Sequence, residues 1–263
     1  MNGFPTEKAE IHPDYDLMEG MISFRSTVGG IRSGISDRKI EKVWFDREKT
    51  RQNGRHLSFI RAMSHELGFE IEYADRAEID SLASGTSHGG IIARCTKRHL
   101  RPISPDDIEK CGIYYLLDGI EDPYNFGYSL RSLYASGADG IILPRRSSID
   151  SAATVCRSSA GASELMKIYT CDPANIVGMF KSATYRAVCA DADNALSMWD
   201  ADLTAPLLLI IGGEKRGISS DISAASDFTV KIEYGRDFPL ALSAASAATV
   251  LSFEILRQNR KKQ

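Results

Sequence analysis

The sequence predicts an α/β fold, with a parallel sheet in the C-terminal part and a smaller α/β domain before it. Short apolar runs alternate with segments of helical spacing along most of the chain, an order typical of parallel sheets covered by helices. The runs at 113–117 and 207–211 are continuously apolar, as in strands that are buried on both faces. The length of 263 residues suits one or two domains.

The first part of the chain is predicted to form a small domain. Residues 1–17 are polar and contain two prolines, so we expect a flexible lead-in. A domain is then expected over residues 18–98, with a helix stop at Gly68. Its predicted elements are strands at 42–46, 69–73 and 89–95 and helices at 55–67 and 76–83.

A linker is predicted over residues 99–111, because Pro102 and Pro105 resist helix formation. A basic cluster overlaps its beginning. Two interpretations of this cluster remain open at this point: a solvated edge that discourages strand pairing, or a surface that contacts phosphates. Its candidate phosphate ligands are Arg94, Lys97, Arg98 and Arg101.

The remaining residues, 112–263, alternate strands and helices again and are predicted to form the second domain. The run at 207–211 is the most apolar of these strands. The predicted strands are 113–117, 140–143, 186–190, 207–211 and 228–232, and the predicted helices are 125–136, 149–158, 175–182, 218–225 and 241–258.

Composition and charge exclude several classes of protein. No apolar run approaches the roughly 18 residues of a transmembrane helix, and the N-terminus lacks the pattern of a signal peptide. Five scattered cysteines without a Cys-x-x-Cys pair indicate buried, reduced thiols in a cytoplasmic protein. No metal site is predicted, and a formal net charge of −3 argues against nonspecific binding to nucleic acid while allowing a local basic patch.

Ligands of open parallel sheets bind beyond the carboxyl ends of the strands, and the first candidate loop there follows residue 117. Asn125 is a favoured helix N-cap. Gly127, Arg131 and Ala135 are spaced by four residues and so share a helix face, where a glycine would let a ligand or another backbone come close. The alternative is a capped helix with a surface arginine.

Two further loops are candidates. Residues 212–217 read GGEKRG after the most apolar strand; they lack the ending of a Walker loop. Glu214 would repel phosphate, which favours a cationic or neutral ligand, or a plain strand-to-helix turn. Residues 241–248 are all small except Leu242, which favours a close helix seam, with or without a ligand.

Together, these segments resemble the motifs of the SpoU (TrmH-like) RNA ribose 2′-O-methyltransferases. The resemblance covers about residues 112–258, and the preceding domain is similar to the ribosomal-protein-like domain that many members carry. The segments that carry it are HGGIIA at 88–93, the Asp-Pro…Asn…Gly…Arg pattern within 122–144, SAGA at 159–162, IGGEKRGI at 211–218 and ALSAASA at 241–247.

The third motif departs from the family pattern. The family usually shows Ser-Leu-Asn-Val-Ser-Val-Ala, whereas here the asparagine is replaced by Ser243 and the flanking serines by alanine. This leaves a second hypothesis open, a degenerate member that binds RNA without methylating it. A nucleotide-dependent enzyme that uses the loop at 212–217 is disfavoured by the missing Lys-Ser/Thr pair.

The resemblance implies a deep trefoil knot in the C-terminal domain, S-adenosylmethionine as methyl donor, and a cytoplasmic homodimer that pairs through the helix after Asn125 and the terminal helix. It implies an RNA substrate bound by the N-terminal domain, ribosomal RNA in preference to transfer RNA, and no DNA. The implied catalytic residues are Arg131, Asn125, Glu214 and Ser243. The implied cofactor-binding residues are Gly212, Gly213, Glu214, Gly217, Ile232, Leu242 and Ser243.

Overall fold

The computed structural model describes residues 14–85, 87–145, 151–192 and 194–260. Within these residues the chain forms two sheets, one of four strands and one of seven. The predicted α/β class is therefore confirmed. Residues 1–13, most of the predicted lead-in, lie outside the described residues, as do 146–150 and 261–263.

The N-terminal domain is a four-stranded mixed sheet with the order β1-β4-β2-β3. Strands β2 and β3 are parallel, and β4 runs antiparallel to both β1 and β2. The elements are β1 (Tyr15–Glu19), α1 (Gly20–Arg32), β2 (Ile40–Asp46), α2 (Gly54–Leu67), β3 (Glu70–Ala74), α3 (Arg76–Leu82) and β4 (Ile91–Thr96).

The first strand and helix were not predicted. The lead-in prediction is wrong for residues 15–17, which begin β1 and pair with β4. Helix α1 contains three glycines and several β-branched or hydroxyl residues, a composition of low helix propensity. Packing against the second domain accounts for it: a Cβ on Gly30 would lie 2.2 Å from the carbonyl oxygen of Glu164.

The predicted linker is packed against the second domain. Ile103 N–H donates to the carbonyl oxygen of Thr170, and Thr170 N–H donates to that of Arg101, so this stretch pairs as a short bridge beside the sheet. Pro105–Asp107 form a single 3-10 turn. The segment connects the domains without leaving the surface of the sheet.

The C-terminal domain is a seven-stranded parallel sheet with the order β7-β6-β5-β10-β8-β11-β9. Strand β10 enters between β5 and β8, which both precede it in the chain. The elements are β5 (Ile113–Asp118), α4 (Pro123–Ala135), β6 (Gly140–Pro144), α5 (Ala152–Ser158), α6 (Ala162–Leu165), β7 (Ile168–Cys171), α7 (Pro173–Ser182), β8 (Arg186–Ala190), β9 (Leu196–Ser197), β10 (Leu207–Gly212), α8 (Ser220–Ala225), β11 (Phe228–Lys231) and α9 (Ala244–Arg260).

The core of this domain lies on both faces of the sheet. Along β10, Leu207, Leu209 and Ile211 pack with α4, α5 and α9 on one face. Leu208 and Ile210 pack with α7 and α8 on the other. Burial on both faces explains why this strand is continuously apolar.

Several predicted boundaries differ from the structure. The edge strands β7 and β9 and the short helix α6 were not predicted. Helix α4 begins at Pro123, because the carboxylate of Asp122, and not Asn125, is its N-cap. Helix α9 begins at Ala244, and the helix predicted from 149 begins at Ala152, its first predicted residues lying outside the described part.

No helix within the described residues is long and apolar enough to cross a membrane. The cysteines are free. The prediction of buried thiols is wrong for Cys111, which is exposed, while Cys95, Cys156, Cys171 and Cys189 are buried. Among the described residues, no group of three or more His, Cys, Asp or Glu side chains is placed to hold a metal ion.

Candidate active site at the carboxyl edge of the parallel sheet

A cavity of about 640 Å³ opens where β8, β10 and β11 end at their carboxyl termini. Residues at these three ends line it: Ala190, Gly212 and Lys231. The segment between β11 and α9 forms another wall, and Leu251 of α9 closes one side. The position agrees with the rule for ligand sites in open parallel sheets.

The structure brings most of the implied cofactor residues together along this cavity. Ser243 is not among the residues that line it; its hydroxyl accepts a hydrogen bond from Ser246 N–H at 3.2 Å and so caps α9. The implied residues that line the cavity are Gly212, Gly213, Glu214, Gly217, Ile232 and Leu242.

The loop after β10 is held by backbone contacts that require glycine. Gly213 N–H donates to the carbonyl oxygen of Asp118 at 2.7 Å. A Cβ on Gly213 would lie 1.9 Å from the carbonyl oxygen of Gly119. Gly217 has a φ of +62°, and a Cβ there would meet no atom within 4 Å. The loop therefore rests on the segment after β5 and leaves open space beside Gly217.

The loops after β5 and β10 are also joined by side chains. Asn125 Nδ2 donates to Glu214 Oε1 at 2.9 Å. Lys215 Nζ lies 2.9 Å from the carboxylate of Glu121, and this hydrogen bond lowers the pKa of Glu121. Both pairs border a second cavity, of about 350 Å³, that also contacts Ala244 at the start of α9. Two of the predicted catalytic residues, Asn125 and Glu214, are thus in direct contact.

Arg131 is exposed on the outer face of α4 and is not among the residues that line these cavities. The expectation that Gly127 lets another backbone come close is confirmed, and the neighbour is α5, whose Val155 carbonyl oxygen would lie 3.0 Å from a Cβ at this position. A Cβ on Gly127 would lie 1.9 Å from Ser158 Oγ, so that glycine permits packing between α4 and α5. The same outer face of α4 exposes Tyr124 and Tyr128.

The four predicted phosphate ligands fall into different environments. Arg98 donates to the carbonyl oxygens of three residues, two of them in the second domain, and burial lowers the pKa of its guanidinium. Arg98 therefore belongs to the joint between the domains, where its donors already have backbone partners. Arg94 pairs with the exposed carboxylate of Glu41, Arg101 pairs with Asp107, and Lys97 is half-buried.

The residues around the larger cavity fit S-adenosylmethionine. Four acidic residues line it, against the two bases Lys231 and Arg236, which suits a ligand with a cationic sulfonium. Glycines in the wall leave peptide groups able to pair with the polar ends of the cofactor. The acidic lining residues are Asp191, Glu214, Glu233 and Asp237.

Sequence reasoning missed part of the cavity wall. Asp191 directly follows β8, so the rule for carboxyl ends of strands could have found it. Tyr234 and Phe238 lie in the segment after β11, and no spacing in the sequence indicates that this segment returns to the loop after β10. Only the order of strands brings the two together.

Comparison with known proteins identifies both domains. Residues 112–253 match the SpoU rRNA Methylase family, and residues 32–100 match the family described as RNA 2′-O ribose methyltransferase substrate binding. A putative TrmH family tRNA/rRNA methyltransferase of Staphylococcus haemolyticus is 28% identical, covering 86% of this chain and 92% of its own length. The 23S rRNA (guanosine-2′-O-)-methyltransferase RlmB of a Burkholderia species is 28% identical, covering 85% and 90%.

Solved structures share the fold. The SpoU methyltransferase AviRb from Streptomyces viridochromogenes, in complex with AdoMet, superposes with a TM-score of 0.73 at 22% identity, over 93% of this chain and 90% of its own. An AdoMet-bound rRNA methyltransferase from Sinorhizobium meliloti gives 0.74 at 18% identity, over 93% and 87%. The predicted fold class, a parallel-sheet domain behind a small α/β domain as in SpoU-type methyltransferases, is confirmed.

The fold and the cavity define a methyltransferase that uses S-adenosylmethionine. The chain belongs to the SpoU rRNA methylase family. It is accordingly an RNA methyltransferase, with a family-typical substrate-binding domain at its N-terminal side.

Proposed function

We propose that this chain methylates a ribose 2′-hydroxyl in structured RNA, and that the substrate is ribosomal RNA in preference to transfer RNA. The observation that carries the proposal is the hydrogen bond between Asn125 and Glu214 beside the cofactor cavity. It joins the two loops whose motifs resemble those of the 2′-O-methyltransferases. The matched substrate-binding domain and the named 23S rRNA relative support the choice of ribose and of ribosomal RNA.

The chemistry asks little of the protein beyond position and charge. S-adenosylmethionine supplies the electrophilic methyl group when it is bound. A ribose hydroxyl is a poor nucleophile and must lose its proton as it attacks. A guanidinium is a poor general base in proteins, so the role of Arg131 is to stabilise the developing alkoxide or to bind a neighbouring phosphate. Glu214 holds Asn125, which orients the substrate.

Arg131 reaches an active site if two chains pair. Helices α4 and α9 pack together through Ser132 and Thr249, whose hydroxyls lie 2.6 Å apart. Their outer faces expose Tyr124, Tyr128 and Phe253, large apolar side chains that a partner would cover. We therefore propose a homodimer through α4 and α9, with the active sites at the interface and Arg131 within it.

The N-terminal domain is proposed to bind RNA through phosphate contacts. Arg94 is held by the exposed carboxylate of Glu41, and exposed ion pairs contribute only about 0–1 kcal/mol, so a phosphate can replace this partner. Arg101 is itself exposed, but its partner Asp107 is largely buried, so Arg101 would meet a phosphate with that pair intact. Lys97 completes the set. Arg98 is left out because its donors are occupied by backbone carbonyls.

The division of the chain and its location are also proposals. We propose a substrate-binding domain that extends from β1 to about residue 98, a connecting segment over 99–111, and a methyltransferase domain from 112 onward. The free thiols of the chain support a cytoplasmic location, where thiols stay reduced.

The test is methyl transfer to defined RNAs. Transcripts of large-subunit ribosomal RNA and of transfer RNA are incubated with the protein and labelled S-adenosylmethionine, and the product is mapped by resistance to alkaline hydrolysis at the methylated ribose. We expect one site in ribosomal RNA. A methylated base, or transfer to transfer RNA alone, contradicts the proposal. RNA binding without transfer and without measurable cofactor affinity by calorimetry would favour the degenerate binder.

A further inference from the structure

Two aromatic side chains stand exposed at the mouth of the cofactor cavity. The rings of Tyr234 and Phe238 have centroids 6.3 Å apart and are inclined at 48°. Phe238 is 54% exposed. The hydroxyl of Tyr234 accepts a hydrogen bond from Leu242 N–H at 3.1 Å, which fixes the ring in place. A single chain thus keeps two large apolar rings in solvent next to its cofactor site.

These rings separate two cavities. A shallow cavity of about 440 Å³ lies outside the cofactor cavity. Five residues line both spaces and therefore form the wall between them. The shared residues are Glu233, Tyr234, Arg236, Phe238 and Leu242. Whatever occupies the outer cavity is in contact with the same side chains as the methyl donor.

The charges of the wall favour an anion on the outer side. Glu233 is paired with Lys231 at 3.5 Å. Arg236 forms no hydrogen bond or ion pair with the described residues. Asp237 lines the cofactor cavity but not the outer one. The outer cavity therefore combines two aromatic faces with one unpaired guanidinium.

We infer that the outer cavity binds a nucleotide that neighbours the acceptor in the RNA, with its base stacked on the exposed rings of Phe238 and Tyr234 and its phosphate on Arg236. Base–aromatic stacking tolerates any base, because every base has a π-face, and RNA is recognised largely through unstacked bases of this kind. The wall shared with the cofactor cavity would hold that nucleotide in place while the ribose of the acceptor lies beside Asn125 and the methyl donor. The inference rests on the proposed function and adds to it the residues that hold a nucleotide next to the target.

The test uses a short single-stranded RNA that contains 2-aminopurine, whose fluorescence is quenched when the base stacks. It is titrated against the full chain in the presence of S-adenosylhomocysteine. We expect saturable quenching with the wild type. Phe238→Ala and Tyr234→Ala should each weaken binding by roughly 5- to 100-fold, since base–aromatic stacking contributes about 1–3 kcal/mol per base. Arg236→Gln should weaken binding and reduce its dependence on salt.

Matched controls separate the ring from the fold. Tyr234→Phe keeps the ring and should retain quenching. Trp199→Ala removes an aromatic side chain that is 61% exposed but lies outside both cavities, and it should bind like the wild type. Calorimetry with S-adenosylhomocysteine checks that each variant still has its cofactor site.

The outcomes are distinct from those of the functional test. The inference would be overturned if both alanine variants kept the affinity and the quenching of the wild type. It would also be overturned if the wild type bound the RNA, as measured by anisotropy, without quenching, because the RNA would then bind another surface of the protein. Quenching that depends on the rings, in a protein that methylates no ribose, would refute the proposed function and keep the nucleotide site.

Discussion

Arginine and carboxylate side chains serve two different purposes in two regions of this molecule. At the joint between the domains, Arg38 lies between Glu164 and Asp16 at 2.9 and 2.5 Å, and the side chains of Arg38 and Glu164 are each only 4% exposed. In the methyltransferase domain, Arg131 on the outer face of α4 and Arg236 at the cofactor cavity are exposed and unpaired among the described residues. The buried charges connect the domains, and the exposed ones remain available to a substrate.

The electrostatics of the joint favour one arrangement of its charged groups. Burial by itself would lower the pKa of Arg38, but the carboxylates of Glu164 and Asp16 outweigh it and raise the pKa. Arg157 adds a second link, 2.6 Å from the buried carboxylate of Glu19. Charged groups in such positions must keep their partners, because an unpaired buried charge is strongly unfavourable. The joint therefore tolerates little rearrangement.

The largest effect is expected at the joint. Arg38→Met leaves two carboxylates without their cation, and we expect the free energy of unfolding in urea to fall by about 3–5 kcal/mol. Glu164→Gln in the same background should restore part of the loss. The control Arg32→Gln breaks a pair with Glu66 that is 56% and 43% exposed and should cost less than about 1 kcal/mol. If Arg38→Met and the control lost the same free energy of unfolding, the buried charges of the joint would be no more important for stability than an exposed pair.

The second prediction concerns the exposed arginine on the outer face of α4. Arg131→Ala should lower the rate of methyl transfer roughly 10²- to 10³-fold, as the loss of a group that stabilises developing charge does. The free energy of unfolding should change by less than about 0.5 kcal/mol, because Arg131 is exposed and forms no hydrogen bond or ion pair with the residues that the structure describes. Single-turnover kinetics and calorimetry with S-adenosylmethionine separate chemistry from cofactor binding. Undiminished turnover would exclude Arg131 from the mechanism.

The third prediction tests the contact between the site loops. Asn125→Asp places two carboxyl groups at the 2.9 Å contact with Glu214. Two neighbouring carboxylates repel each other, and the repulsion raises the pKa of one member of the pair. At pH 8 the hydrogen bond is lost, and hydrogen bonds to charged groups contribute about 1.5–3 kcal/mol. The rate of methyl transfer should therefore fall roughly tenfold or more at this pH. It should recover as the pH is lowered and one carboxyl takes up a proton. Glu214→Gln keeps an acceptor for Asn125 and serves as the control; a pH profile parallel to the wild type in Asn125→Asp would contradict the predicted repulsion.

The smallest effect is expected at an exposed pair far from both regions. Hydrogen bonds from Thr204 and Arg186 lower the pKa of Asp202 from 3.8 to about 2. A lowered pKa in the folded state stabilises the protein above pH 4, and this contribution is lost as the pH falls towards 2. Asp202→Asn should therefore destabilise by less than about 1 kcal/mol at pH 7, and the difference from the wild type should disappear in that pH range. A difference that persists at pH 2 would show that charge is not the cause.

Much of the fold was predictable because local patterns carry it. Strands β5, β8 and β10 are short apolar runs, and the loop at 212–217 follows the most apolar of them. The N-cap of α4 could also have been read correctly, because Asp122 precedes a proline and proline is favoured at the first helical position. Helix α1 could not, since its glycines and hydroxyl residues are stabilised by packing against the second domain and not by propensity.

The candidate site was predictable only in part. The glycine loop at 212–217, Asn125 and Glu214 lie at the carboxyl ends of strands, as the strand pattern and the sequence motifs predicted. The contacts of Arg98 in the joint were not predictable, because the carbonyl oxygens of Ser163 and Met166 that it binds are 65 and 68 residues away in sequence. The aromatic wall at Tyr234 and Phe238 was missed, because no local pattern shows which segment faces a cavity.

The sequence by itself determined the alternation of strands and helices, the two loops that carry the site, and the family to which the chain belongs, because each of these is encoded within a few neighbouring residues. The tertiary structure alone decided that Arg38 is buried in the joint between the domains and that Arg131 and Arg236 stay exposed. It also decided that β10 enters between β5 and β8. This order of strands brings the loop after β10 against the segment after β11, and the two together form the cavity. The physical reason is that the environment of a charge or a ring is set by residues distant in the chain, and spacing along the sequence does not report them.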